Sequence, residues 1–375
     1  MRRLLSSIAL SFLLAGSVHA DDLQSLLIEG SNALARGDNA AAEAAFRRAL
    51  SSDPKSVEVL NDLAIALARQ NKEAEAIATY RQALRIEPGD PITSRNLAIA
   101  YFRAKRYTDA LPLLENFSKS AGTFQALDLT GLALFALDRY AESAQYLERA
   151  SELQPRDMAT LDMLGRAYYK SGNYQAVATV FARITSIDPN SPEAHVLMGL
   201  ALDRLSRDDE AQAEYQAAER VDPNYMGVHS GLGVIYWKRG KFDEAMTEFR
   251  TELSRYPSDA VSNYLMGDIL QKQNSPAKAI PYLKAAIASD PNYKEALFVL
   301  GKCELDLDRA QEAIAPLRRA IALDAAYYQA HYVLGTALRQ TGHVAEATRE
   351  LHISEQLRAR QDAAELKKAS GSGPN

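Results

Sequence analysis

Three histidines, His195, His229 and His331, invite a metal site, because imidazole is a common ligand for transition-metal ions. Their separations, 34 and 102 residues, are multiples of one period. Residues related in this way fill the same packing position in successive copies of a repeat. Adjacent copies lie about 10 Å apart or more, the distance between packed helices, whereas the ligands of one ion sit at roughly 2 Å from it. The spacing therefore assigns these histidines a structural place, early in the first helix of each copy. His343 and His352 have no partner. Cys303 is the only cysteine, so the chain has no internal disulfide and no Cys/His metal spacing. Its surroundings read as those of a buried, inert thiol. Serines, histidines and aspartates are plentiful but form no nucleophile motif, and there is no phosphate-binding glycine loop or dinucleotide fingerprint. Carboxylate pairs such as Asp208-Asp209 read as solvated turn residues or helix N-caps. No cofactor and no metal are expected.

The period organises the whole chain. Prolines at 54, 88, 155, 189, 223, 257 and 291 are 34 residues apart, except for one gap of 67 that spans a 34-residue and a 33-residue unit. Five of the seven follow Asp or Glu. A small residue keeps the same register at Gly30, Ala64, Ala98, Gly131, Gly165, Gly199, Gly233, Gly267, Gly301 and Gly335. A large one does so at Phe46, Tyr80, Leu114, Leu147, Phe181, Tyr215, Phe249, Leu283, Leu317 and Leu351. Each unit divides into two amphipathic helices; residues 260–272 and 276–289 are an example. Gly37, Gly172, Gly240 and Gly342 stand where the first helix would end on a left-handed residue, and the second helix ends before proline. A close helix crossing needs a side chain of one carbon or none, and the large residue fills the space beside it. The apolar outer face of each pair must be covered by the next, so the units stack in one dimension.

These residues resemble the tetratricopeptide repeat family, over residues 23 to 361 and about ten units. The resemblance implies an all-α, right-handed superhelical solenoid of about ten antiparallel helix pairs occupying residues 21–361. Residues 362–375 then form the end of a capping helix and a flexible tail. Unit 91–123, which lacks one residue and its proline, and Ser143 in its successor mark a point where a local kink is expected.

In this family the first helices line the inner surface, and the matching positions carry the candidate partner-binding residues. Aromatic ones are Phe102, Phe135, Tyr169, Trp237, Tyr264, Phe298 and Tyr332. A basic ladder runs through Arg69, Arg103, Lys170, Arg204, Lys238 and Lys272, joined by Arg95 and Arg166. Asp128, Asp162, Asp203, Asp268 and Asp306 supply the opposite sign. A floor of aromatics with spaced charges suits an extended peptide held by a few central anchors, and Trp237 beside Lys238 is the expected anchor. A cation at the end of a helix also simply complements the macrodipole. The family's carboxylate clamp finds only partial echoes, at Asn61 and Arg95, and is not carried over.

The expected function is a non-catalytic protein- or peptide-binding scaffold, monomeric or weakly oligomeric. A carbohydrate-binding or polysaccharide-export accessory, stacking sugars on Tyr169, Trp237 and Tyr264, is the alternative. An enzyme would need a separate catalytic domain for which about ten repeats leave no room, and end-to-end self-assembly is opposed by the polar segment 355–369. Composition agrees: 47% hydrophobic and 24% charged residues suit a packed chain, and a formal net charge of -5 lacks the basic footprint of a nucleic-acid binder. Residues 1–20 read as a signal peptide, with Arg2-Arg3, an apolar run from Leu4 to Leu14 and cleavage after Ala20. That run is too short to span a bilayer, so an exported chain without an integral span is expected, in the periplasm or secreted.

Overall fold

The computed structural model describes residues 23–369; the expected signal peptide and residues 370–375 lie outside the described residues. Among the described residues every regular element is an α-helix, twenty in all. The chain divides into two units at Val180 and Phe181. The first contains α1 (23–35), α2 (Asn39–Ser52), α3 (Val57–Arg69), α4 (Glu73–Ile86), α5 (Pro91–Arg103), α6 (Tyr107–Ala121), α7 (Phe124–Ala136), α8 (Tyr140–Leu153), α9 (Met158–Lys170) and the start of α10 (Tyr174–Ile187). The second contains the end of α10 and then α11 (Pro192–Arg204), α12 (Asp208–Val221), α13 (Val228–Lys238), α14 (Phe242–Arg255), α15 (Ala260–Lys272), α16 (Pro276–Ser289), α17 (Lys294–Asp306), α18 (Ala310–Leu323), α19 (Tyr328–Gln340) and α20 (Val344–Ala369). No helix among the described residues is long and apolar enough to cross a membrane.

The two kinds of helix begin differently. Several first helices start on a side-chain cap: Ser56, Asp90, Asp157, Ser191 and Asp259 each accept the amide three residues on. Second helices commonly follow a cation and carry acids in the first turn, where the macrodipole favours negative charge. Arg106, Arg139 and Arg207 pair with Asp109, Glu142 and Glu210 three residues on, at 2.6–2.8 Å. Asp208 and Asp209 thus open α12 rather than standing in the turn before it.

Between the helices of a pair the chain turns through one left-handed residue. The four expected glycines take it, with φ of 79°, 80°, 71° and 84° at Gly37, Gly172, Gly240 and Gly342. Asn71, Lys105, Asp138, Ser206, Asn274 and Asp308 take it as well, with φ between 56° and 60°. The reason is the hydrogen bond that the turn makes. The next amide donates back to the carbonyl five residues earlier, as in Arg106 to Tyr101 (2.9 Å), Arg207 to Leu202 (2.9 Å) and His343 to Leu338 (2.8 Å), the Schellman closure of a helix end.

The small–large pairing is a direct contact. A Cβ placed on Gly30 would lie 2.5 Å from the Phe46 ring, on Gly131 2.6 Å from Leu147, on Gly233 2.4 Å from Phe249, and on Gly301 2.5 Å from Leu317. These distances are below van der Waals contact, so the ring or isobutyl group occupies the volume of the missing side chain. Tyr215 is held twice, against Gly199 and Gly231. The short unit has no proline at its end. Its second helix, α6, ends on left-handed Gly122 (φ 58°), and Thr123 caps α7 at once. The Ser118 and Thr130 hydroxyls lie 2.7 Å apart, within hydrogen-bond distance, and the Ala126 carbonyl accepts from both, from Ser118 at 2.9 Å and from Thr130 at 2.7 Å. Ser143, where alanine is usual, is fully buried and donates to the Gly131 carbonyl at 2.7 Å.

Two further features belong to the core. α13 starts on left-handed Gly227 (φ 90°), and buried Glu252 of α14 accepts the amides of Gly227 (2.8 Å) and Ser230 (3.2 Å) in place of a local cap. Cys303 is fully buried, and burial, reinforced by the Asp306 carboxylate, pushes its thiol up to about 12. Gly233→Ala is expected to lower stability by about 1–3 kcal/mol, the usual range for overpacking, read as a lower urea midpoint. Iodoacetamide at about pH 8 is expected to leave Cys303 unmodified in the folded chain and to label it in denaturant, because only the thiolate reacts.

Candidate partner-binding surface

In the second unit the first helices touch in sequence: α11 with α13, α13 with α15, α15 with α17 and α17 with α19. In the first unit α3 touches α5 and α7 touches α9. The second helix of each pair packs on the first helix of the next, as α14 does on α15 and α16 on α17. Each unit therefore presents a layer of adjoining first helices, and the residues singled out from the sequence lie on it.

The structure separates the aromatic residues into two rows. Phe102, Phe135, Tyr169 and Trp237 stand four residues after the small packing position. The first three meet the ring five residues on, across the turn, edge to face: Phe102 with Tyr107 at 5.4 Å, Phe135 with Tyr140 at 5.1 Å and Tyr169 with Tyr174 at 5.6 Å. Tyr264, Phe298 and Tyr332 stand three residues before the packing glycine. Tyr264 packs against Tyr293 at 4.9 Å and Phe298 against Tyr327 at 5.0 Å, each ring tilted by about 46–47° and each partner from the following pair. Burial pushes the phenols of Tyr264 and Tyr293 well above the ordinary tyrosine range, and that of Tyr327 up to about 12. Much of the expected floor thus also holds the stack together.

Trp237 is the centre of the densest cluster. Its indole N–H donates to Asp268 Oδ2 at 3.0 Å, and Lys272 Nζ donates to the same oxygen at 2.7 Å. Lys272 Nζ also lies 5.1 Å from the Trp237 ring and 6.0 Å from the Phe242 ring, within cation–π range. Asp268 is 7% exposed and Trp237 partly so, while the Lys272 side chain remains 47% exposed. A buried carboxylate therefore fixes an aromatic face and a surface cation relative to each other.

The basic ladder is partly consumed by the fold. Lys238 Nζ reaches back one pair to Asp203 Oδ1 (2.6 Å) and the Asp203 carbonyl (3.4 Å) at the end of α11, and contacts Asp208 at 3.0 Å. Arg69 makes the equivalent reach to the Leu34 carbonyl at 3.0 Å. These cations satisfy the last carbonyls of the preceding first helix. Arg166 pairs with Asp162 at 2.7 Å. Asp128 accepts from Thr160 at 3.0 Å, and Asp306 from Gln271 at 3.0 Å. Arg103 and Lys170 are exposed with no carboxylate partner among the described residues, and Arg204 is exposed. Arg95 lines a shallow cavity with Ile92, Leu113 and Phe117, and Arg103 another with Ile65 and Tyr80. Asn61 is buried and donates to Thr93, so it is not presented to a ligand.

Each of the three histidines has both ring nitrogens engaged. Nδ1 of His195, His229 and His331 lies 2.7, 2.8 and 2.6 Å from Glu214, Glu248 and Glu350, always nineteen residues on. Nε2 lies 3.0–3.2 Å from the carbonyl six residues back. This clamp between a pair's two helices explains their common register; the glutamates were the signal that sequence reading passed over.

Models of the tetratricopeptide repeat match residues 29–91, 196–260 and 264–328, residues 67–126 and 134–201, and residues 328–352. No curated protein matches the chain. Among solved structures, YrrB, a tetratricopeptide-repeat protein described as having an unusual peptide-binding site, is 21% identical. It aligns over 51% of this chain and 99% of its own, with a TM-score of 0.42. MamA is 20% identical over 44% of this chain and 97% of its own, with a TM-score of 0.39. The APC/C hetero-tetramer Cut9–Hcn1 is 12% identical over 89% of this chain and 87% of that one, with a TM-score of 0.46. Proteins built of these repeats are generally protein-binding scaffolds. With one family model alone matching just over half of the chain, and with helix pairs locked in the repeat's register, this chain belongs to the tetratricopeptide repeat family.

Proposed function

We propose that the chain is a non-catalytic scaffold of the cell envelope that holds other proteins or extended peptides on its layer of first helices. The observation that carries this reading is the Trp237–Asp268–Lys272 cluster. An aromatic face, an N–H already satisfied and a surface cation are held in one geometry before any ligand arrives. Binding to such a surface immobilises few side chains, which is where much of the cost of association lies. Exposed Arg103 and Lys170 on the first unit, and Arg204 on the second, add positive charge that steers encounter and selects partners. Export to the periplasm, with cleavage after Ala20, is read from Arg2-Arg3, the apolar run and the small residues before Asp21.

The test uses the full chain as bait in an envelope extract, beside Trp237→Ala and Trp237→Ala/Lys272→Glu variants shown by circular dichroism to keep their helix content. Loss of a central aromatic anchor typically costs 2 kcal/mol or more, so the partner retained by the native chain is expected to fall by about thirtyfold in affinity. A partner retained equally by all three would remove the Trp237 cluster from the binding surface.

A further inference from the structure

The aromatic row before the packing glycines is covered, pair by pair, by the chain that follows. Tyr293 covers Tyr264, and Tyr327 covers Phe298. Both covering tyrosines close a tight turn of the form Asp-x-x-Tyr, at 290–293 and 324–327. In each, the tyrosine amide donates to the aspartate carbonyl at 3.1 Å, and the aspartate side chain accepts the amide two residues on, from Asn292 at 2.9 Å and from Ala326 at 3.0 Å. The second turn also meets a cation. Lys294 Nζ is 2.7 Å from Asp324 Oδ2 and 5.6 Å from the centre of the Tyr327 ring.

Tyr332 holds the same position 34 residues on, but residues 358–361, where the turn would recur, lie within α20 (Val344–Ala369). Tyr332 is left 60% exposed. Beside it opens a cavity of about 620 Å³ whose wall includes Phe298 and Tyr328. Three cations, Lys302, Arg339 and Arg358, line it against the single carboxylate of Glu355. Among the described residues Lys302 reaches the Gln271 amide oxygen, at 3.2 Å, and Arg358 reaches Asp362, at 3.9 Å. Arg339 has no carboxylate partner among the described residues.

We infer that this cavity is a second partner site, taking an acidic–aromatic peptide segment of the Asp-x-x-Tyr kind. Its ring covers Tyr332 as Tyr327 covers Phe298, and its carboxylate meets Arg339 and Arg358. The chain supplies the template twice, since the same row is already covered by such turns wherever a further pair follows. The surplus of two positive charges selects an acidic segment over a basic one. None of the residues of the Trp237 cluster lines the cavity, so the two sites stand or fall separately.

The probe is a fluorescein-labelled peptide copying residues 289–297, Ser-Asp-Pro-Asn-Tyr-Lys-Glu-Ala-Leu, titrated with the full chain and followed by anisotropy. Saturable binding is expected, weakened about tenfold or more by Tyr332→Ala and by Arg339→Glu, and abolished when the peptide carries Tyr293→Ala. Trp237→Ala is expected to leave it unchanged. Because Tyr332 and Arg339 are at the surface, neither variant perturbs the core. Absence of saturable binding, equal binding of the alanine peptide, or a loss with Trp237→Ala in place of Tyr332→Ala would each overturn the assignment.

Discussion

One contact sets the geometry of the helix pairs: a first-helix position with no side chain or only a methyl group, paired with a ring or isobutyl group from the helix that returns beside it. With would-be Cβ distances of 2.4 to 2.8 Å to the partner side chain, nothing larger than hydrogen is accommodated at the glycine positions without a shift. The lock fixes the rotation of each first helix about its axis. It thereby decides which residues turn toward the partner helix, which toward the next pair, and which remain on the layer of first helices. The residues four beyond the lock, Phe102, Phe135, Tyr169 and Trp237, fall over the intra-pair turn; those three before it, Tyr264, Phe298 and Tyr332, fall toward the next pair.

Because the repeat recurs, side chains in one register find the same kind of partner in several of the pairs. The histidine–glutamate clamps and the backward reach of Arg69 and Lys238 are both products of this recurrence. Charge is thus spent largely within the stack, where a cation at the end of a helix also offsets the macrodipole. What remains for partners is local rather than a continuous ladder. Trp237 and Lys272 are the strongest case, because the carboxylate that orients them is itself buried and fixed.

The repeat, its register and the helices of 260–272 and 276–289 were legible in the sequence, since the small and large positions each recur with a single physical role. The left-handed turns at Gly37, Gly172, Gly240 and Gly342 were legible for the same reason. Those at Lys105, Ser206 and four further non-glycine residues were not, because the hydrogen bond that closes the turn has no sequence signature of its own. Asp208-Asp209 looked like turn residues but open α12, where acids answer the helix dipole. Around the short unit, a buried Ser118–Thr130 bond and a capped α7 stand where most other units have a proline. Within the candidate surface, the sequence named Trp237, Asp268 and Lys272 but treated two aromatic rows as one. Residues five apart and residues 29 apart both become neighbours here, and only the structure distinguishes them.

The most direct test of the account is site-specific photo-crosslinking of the full chain in its native cells. A photoreactive residue is placed at 272 on α15, or at 284 on α16; Lys272 and Lys284 are both exposed. If the layer of first helices is the binding surface, a partner adduct forms at 272 and not at 284. An adduct at 284 alone would contradict it and move the partner to the second helices.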